Sequence, residues 1–170
     1  MKIVHAVLFG AIALLAFGAS FRASHAQDAS DIYASELHKT ERTYKAANVG
    51  FHSTDSARKI SEAVAGFYGP FAQLSAAIAQ QRAGQYAAPD AYAAASQAAL
   101  RALDAQVDAL QAAMVDAARS DRVKVQQMVV DRQVGVRREQ VQWNADDALL
   151  AQIKSLVAQA RSDAAAAGKT

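Results

Sequence analysis

Along residues 60 to 78 the apolar positions Ile60, Val64, Phe67, Phe71, Leu74 and Ile78 recur at steps of four, three, four, three and four. That rhythm places them on one face of an α-helix. Pro70 lies inside the run, yet the phase after it matches the phase before it, which a loop of arbitrary length preserves only by chance. The spacing therefore predicts one kinked helix, in which the proline ring crowds the carbonyl of residue 66 and removes one backbone hydrogen bond. Gly66 and Gly69 let the backbone adjust there, so Gly66, Gly69 and Pro70 form a candidate hinge.

The same reading extends to both sides. A first helix is expected over residues 29 to 47, with Tyr33, Leu37, Thr40, Tyr44 and Ala47 on its weak stripe. "NVGFHSTDS" breaks it, because Asn48 and Gly50 suit a helix end and Ser53, Thr54 or Asp55 can cap the next helix. Gly84 is a plausible terminator and Pro89 suits the first turn of a third helix. From there Leu100, Leu103, Val107, Leu110 and Met114 form a single seam, after which the expected seam positions become Asp121 and Lys124. Either that helix ends near Ser120 or its buried face rotates.

Residues 123 to 143 mix strand-favouring valines with helix-tolerant Gln and Arg; helix is the preferred reading, a hairpin of Val123–Val130 with Val134–Val141 the alternative. A last helix is expected to start at Asn144, capped by its side chain, with Asp146 and Asp147 beside the positive end of the helix dipole. Leu149, Ile153, Leu156 and Ala160 share a face, and the "SDAAAAGKT" end is expected to fray.

Together these segments predict an all-α fold: an elongated antiparallel three- or four-helix bundle after an N-terminal signal peptide. The bundle covers residues 27 to 166, and residues 167 to 170 form a disordered tail. A rod built on one long helix and a compact bundle broken near Ser120 are both compatible with the spacing.

The signal peptide is read from residues 1 to 26, which carry one early Lys, an apolar run from Ala6 to Phe17, and small residues Ser24 and Ala26 at a cleavage site. An uncleaved anchor is the alternative, since Ile3 to Phe21 is nearly long enough to span a bilayer. This segment changes the charge picture. The sequence pI of about 9.0 suggests a phosphate-binding surface, but the leader holds Lys2 and Arg22 and no acid, which leaves sixteen basic against sixteen acidic residues. Nucleic acid is not an expected partner.

Charge is nonetheless uneven. From Asp90 to Asp116 there are four acids and one Arg; from Arg119 to Glu139, six basic residues face three acids. Arg119, Arg122, Lys124, Arg132, Arg137 and Arg138 are the candidate partner-binding set, suited to an acidic protein or an anionic envelope surface. A solvated face with internal ion pairs is the plainer reading.

Candidate chemistry is sparse. The chain has no cysteine, which excludes disulfides, thiolate metal sites and c-type haem attachment. His52, Ser53 and Asp55 lie close in sequence, but helix capping accounts for the last two without catalysis. Glu36, His38 and Glu41 lack the Glu-x-x-His pairs of a di-iron bundle, and no glycine-rich phosphate loop occurs. No catalytic, cofactor-binding or metal residue is assigned.

The expectation is an exported, periplasmic or secreted, non-enzymatic protein that binds other macromolecules as an adaptor, chaperone-like factor or envelope-assembly component. A protein partner in the envelope or self-association is expected, with membrane contact only through an uncleaved leader. The alternative is a small-ligand sensor or carrier with a pocket beside the Gly66 to Pro70 kink, where Phe67, Tyr68 and Phe71 cluster. The chain lacks the Leu-Thr-x-x-Gln repeats of the Spy-like periplasmic chaperones and a β assembly segment like that of the Skp-like ones. Its general character, a leader followed by an Ala- and Gln-rich bundle without cysteine, is similar to the minor pilus subunits of type IV secretion systems. That likeness is one of composition and assigns no residue.

Overall fold

The computed structural model describes residues 32–127 and 132–169. The expected leader, the first residues of the first helix, residues 128–131 and Thr170 lie outside them. Among the described residues every regular element is helical: α1 over residues 32–47, α2 Thr54–Ala65, α3 Tyr68–Arg82, α4 Pro89–Gln127 and α5 Arg132–Ala167.

Local chemistry accounts for the breaks. After α1, Gly50 takes a φ of 68°, and its N–H donates to Asn48 Oδ1 at 2.8 Å. Positive φ is cheap only for a residue without Cβ. Ser53 then caps α2, its Oγ accepting from the Ser56 N–H at 3.2 Å. At the end of α3, Gly84 has a φ of 64°, while the Gln85 N–H donates to the Gln80 carbonyl and the Gly84 N–H to that of Gln81, both at 2.9 Å. This paired closure satisfies carbonyls that a helix end leaves free. α4 opens at Pro89.

The helices pack lengthwise with antiparallel neighbours. On α4 and α5, Asp104 pairs with Arg161 at 2.7 Å, and Gln111 Oε1 accepts from Lys154 Nζ at 3.4 Å, so one number rises as the other falls. α1 is likewise antiparallel to α5: Tyr33 Oη donates to Asp163 at 2.6 Å and Tyr44 Oη to Asp146 at 2.9 Å. α2 and α3 lie along α4, and α3 also touches α5. Leu37, Ile60, Phe67, Phe71, Leu74, Leu103, Leu110, Leu149 and Ile153 are fully enclosed between them. Each such side chain contributes roughly 1.5–3 kcal/mol by leaving water. Buried Ala99, Ala117, Ala160 and Ala164 allow the backbones to approach closely.

Several expectations need correction. The stretch around Pro70 is two helices rather than one: α2 ends at Ala65, and α3 starts at Tyr68. The backbone stays right-handed through the junction, with Gly66 at φ −60°, ψ −19° and Phe67 at φ −75°, ψ −25°. That is why Val64, Phe67, Phe71 and Leu74 all remain buried. Pro70 falls in the first turn of α3, where a helix has N–H groups to spare.

Of the two readings left open for α4, the continuous one holds: the helix passes Ser120 and runs to Gln127, about 58 Å at 1.5 Å per residue. Asn144 does not start a helix. It lies inside α5, its side chain accepting from Gln140 Nε2 at 3.0 Å, and Asp146 is buried rather than placed at a helix N-terminus. The described parts of residues 123 to 143 are helix on both sides, with no strand. Finally, α5 stays helical to Ala167 instead of fraying at Ser162. Tyr92 explains it: its Oη donates to the Ala164 carbonyl at 2.7 Å, and Ala164 and Ala167 are buried.

The long helices outreach the others. His52 meets α4 at Asp121 and the Val49 N–H meets α5 at Gln142, so α1 and α2 stop at that level. α4 beyond Asp121 and α5 before Gln142 extend past it.

Candidate functional site

The level at which α1 and α2 stop is marked by a buried polar node. His52, in the connection between these helices, is sandwiched between two carboxylates: Nδ1 lies 3.0 Å from Asp121 Oδ2 on α4, and Nε2 lies 2.9 Å from Asp146 Oδ2 on α5. The His52 and Asp121 side chains are each 1% exposed and that of Asp146 8%. An ionised carboxylate only accepts hydrogen bonds, so both contacts are satisfied when each ring nitrogen carries a hydrogen. The geometry therefore favours the imidazolium form of the ring.

Neighbours complete it. The Ser53 N–H donates to Asp121 Oδ2 at 3.3 Å, and the Ser56 hydroxyl also bonds Asp121. Tyr44 Oη and Gln142 Nε2 donate to Asp146 Oδ1 at 2.9 and 3.1 Å. The Val49 N–H donates to Gln142 Oε1 at 3.3 Å, tying the connection to α5 a second time.

The electrostatics follow from these contacts. Burial pushes the His52 ring toward its neutral form, but the hydrogen bonds and charges of Asp146 and Asp121 outweigh it and raise the pKa above the usual 6.5. Burial likewise opposes ionisation of Asp121, and the bonds from His52, Ser56 and Ser53 outweigh that, holding its carboxyl below 3.8. Tyr44 is pushed up, first by burial and then by the Asp146 charge and hydrogen bond. It stays a neutral donor.

This arrangement does not assemble the residues that sequence proximity suggested. His52 faces Asp121 and Asp146 rather than Asp55, which pairs instead with Arg58 at 2.7 Å and Lys59 at 3.0 Å on the surface of α2. Ser53 caps its helix. With both ring nitrogens on carboxylates, neither faces a nucleophile. Among the described residues no group of three or more His, Asp or Glu is arranged to hold a metal ion. Glu41, considered with Glu36 and His38, accepts from Tyr68 Oη at 3.2 Å and sits 3.5 Å from His38 Nδ1.

One member of the node, Asp121, was within reach of the sequence. Asp121 falls on the seam of α4 after Met114 and Ala117, and an acid at a core position calls for a buried partner.

The candidate binding residues divide. Arg119 on α4 and Arg137 and Arg138 on α5 are exposed. Arg122 and Lys124 lie in the last turns of α4 and Arg132 opens α5, but their side chains lie outside the described residues. From residue 136 to 141 no side chain of α5 is buried, and Val136 and Val141 are 56% and 47% exposed. From Gln142 onward buried positions recur at helical spacing: Gln142, Asp146, Leu149, Ile153, Val157, Ala160, Ala164 and Ala167.

The candidate hinge residues also divide. A Cβ on Gly66 would collide with the Gln106 side chain of α4, whereas one on Gly69 would meet nothing within 4 Å. Phe67 and Phe71 are core, their ring centroids 6.1 Å apart, and Phe71 stacks on Tyr33 at 5.2 Å. A polar groove of about 400 Å³ lies elsewhere, between Lys39, Thr40 and Thr43 of α1 and Gln152, Ser155 and Gln159 of α5.

No helix among the described residues is long and apolar enough to cross a membrane. No protein-family model, curated protein or solved structure matches the chain.

Proposed function

We propose that the chain is an exported, non-enzymatic binding protein whose working surface is the end of the α4–α5 pair beyond the His52 node. An acidic protein segment in the cell envelope is the partner. Export is read from the leader over residues 1 to 26. The observation that carries the binding surface is the stretch of α5 from 136 to 141: it stays helical, buries no side chain, and exposes two valines beside Arg137 and Arg138.

Helices at the surface of a bundle normally bury one stripe. Here none of the described side chains of α5 before Gln142 joins the stripe, α1 and α2 having ended, and residues 136 to 141 combine apolar area with positive charge. Apolar anchors among Arg side chains suit an acidic amphipathic segment: charge guides the encounter and the valines supply area to bury.

A photocrosslinking residue at position 137, compared with one at Asp108 on the acidic part of α4, tests this in the producing cell. The reading expects a discrete adduct from position 137 that disappears with Arg138→Glu and at high salt. Equal labelling from both positions, or none from 137, overturns it. An adduct containing only two copies of this chain replaces the partner with self-association.

A further inference from the structure

One imidazole holds the connection between α1 and α2 on both long helices. Residues 48–53 contain no helix and turn at Gly50 with positive φ. Their anchors on the long helices are His52, on Asp121 and Asp146, the Ser53 N–H, on Asp121, and the Val49 N–H, on Gln142. We propose that His52 is a proton-operated latch: the doubly protonated ring pins this connection to α4 and α5, and losing one ring proton frees it from one of them.

The groups around the ring set the direction. Asp121 faces it from α4, with Ser53 and Ser56 at the start of α2 behind that carboxylate. Asp146 faces it from α5, with Tyr44 of α1 and Gln142 behind. Phe51 covers an edge, its ring centroid 6.3 Å away. The charged groups touching the ring are therefore two carboxylates. An imidazolium between them leaves one net negative charge, spread over several donors. A neutral ring leaves two negative charges and turns a nitrogen lone pair toward a carboxylate oxygen at about 3 Å, a buried contact with no hydrogen in it.

Relief comes from the weakest element. Gly50 and its neighbours are exposed or half-buried, whereas Asp121 and Asp146 belong to long helices packed on each other and on α3. Opening therefore swings out the connection rather than unfolding a helix. It uncovers the seam at the base of the projecting α4–α5 end. The latch does not depend on what docks at that end.

The test uses the full chain with His5, His25 and His38 replaced by Gln, so that His52 is the sole histidine. Nitrogen-15 spectra should show both ring nitrogens protonated below the ring's midpoint, and that midpoint should lie above the one measured for the same chain unfolded in urea. Across that midpoint the amides of residues 49–53 should exchange roughly tenfold faster than base catalysis alone predicts, while those of Leu103 and Ile153 stay protected. A ring midpoint at or below the unfolded value overturns the latch. So does a raised midpoint across which these amides stay closed. Asp146→Asn supplies a second check, moving ring titration and amide opening to lower pH together; a ring midpoint that moves alone refutes the coupling.

Discussion

His52 Nδ1 lies 3.0 Å from Asp121 Oδ2, so a residue of the short connection after α1 answers the one acid buried in the apolar seam of α4. Removing either partner strands the other in a site from which water is excluded. His52→Ala leaves two carboxylates facing each other, and Asp121→Ala leaves the imidazolium with Asp146 alone. Each substitution is expected to cost about 3–5 kcal/mol. The double variant should cost clearly less than the two together, because the second change removes a charge the first had already stranded. Urea denaturation followed by circular dichroism measures all three; single losses below about 1 kcal/mol would show that the node contributes little.

Stability should also depend on pH in a defined way. The His52 pKa is raised on folding, so its contribution is fully present below the unfolded value of about 6.5 and declines as pH rises through the folded value. Asp121 is lowered, so its contribution is present above about 3.8 and declines as pH falls toward the folded value. The two together place the maximum between roughly pH 4 and 6.5. Urea midpoints measured from pH 3 to 9 should fall on both sides of that window, and Asp121→Asn should flatten both flanks. A wild-type curve that keeps rising from pH 6 to 9 contradicts the sign assigned to His52.

How much of this was legible in the sequence depended on whether one helix sufficed to define it. The seams of α2, α3 and α4 came from periodicity because burial repeats within a single helix, and the breaks at Gly50 and Gly84 came from glycine's access to positive φ. The continuation of α4 past Ser120 is one of two alternatives that the spacing allows. Periodicity treats Asp121 as an interruption, whereas the structure keeps the phase by supplying His52 from 69 residues earlier in the chain. The start assigned at Asn144 failed for the same reason: Asp146 resembles a first-turn acid until Tyr44 and His52 are placed against it. A lone sequence carries the interruption but not the partner that resolves it.

Gly66 and Gly69 look equivalent in sequence, but their surroundings predict opposite results. Gly69→Ala adds a methyl to open space in a helical residue and should stabilise by up to about 1 kcal/mol. Gly66→Ala drives its Cβ into the Gln106 side chain of α4, so the same helical gain is offset by the displacement of that glutamine. Gln106→Ala should restore the benefit to Gly66→Ala and leave Gly69→Ala unaffected. Thermal melts of the five variants decide it, and equal effects at the two glycines would mean that α2 and α4 are not in close approach there.

Pro70 gives the last prediction, and its position in the helix determines the sign. In a helix interior a proline removes a ladder hydrogen bond and crowds the carbonyl four residues back, at a cost of about 3 kcal/mol that replacement by Ala would recover. Here Pro70 sits in the first turn of α3, and the ladder resumes at once with the Phe71 N–H on the Phe67 carbonyl at 3.0 Å. Pro70→Ala gains only an N–H that can reach the Gly66 carbonyl and loses the restriction that proline places on the unfolded chain, worth up to about 1 kcal/mol. These effects oppose each other, so the change in stability should stay within about 1 kcal/mol and helicity should be retained. A gain near 3 kcal/mol would show that α2 and α3 are a single helix under strain; loss of the fold would show that the junction at Gly66 and Phe67 requires the proline to form.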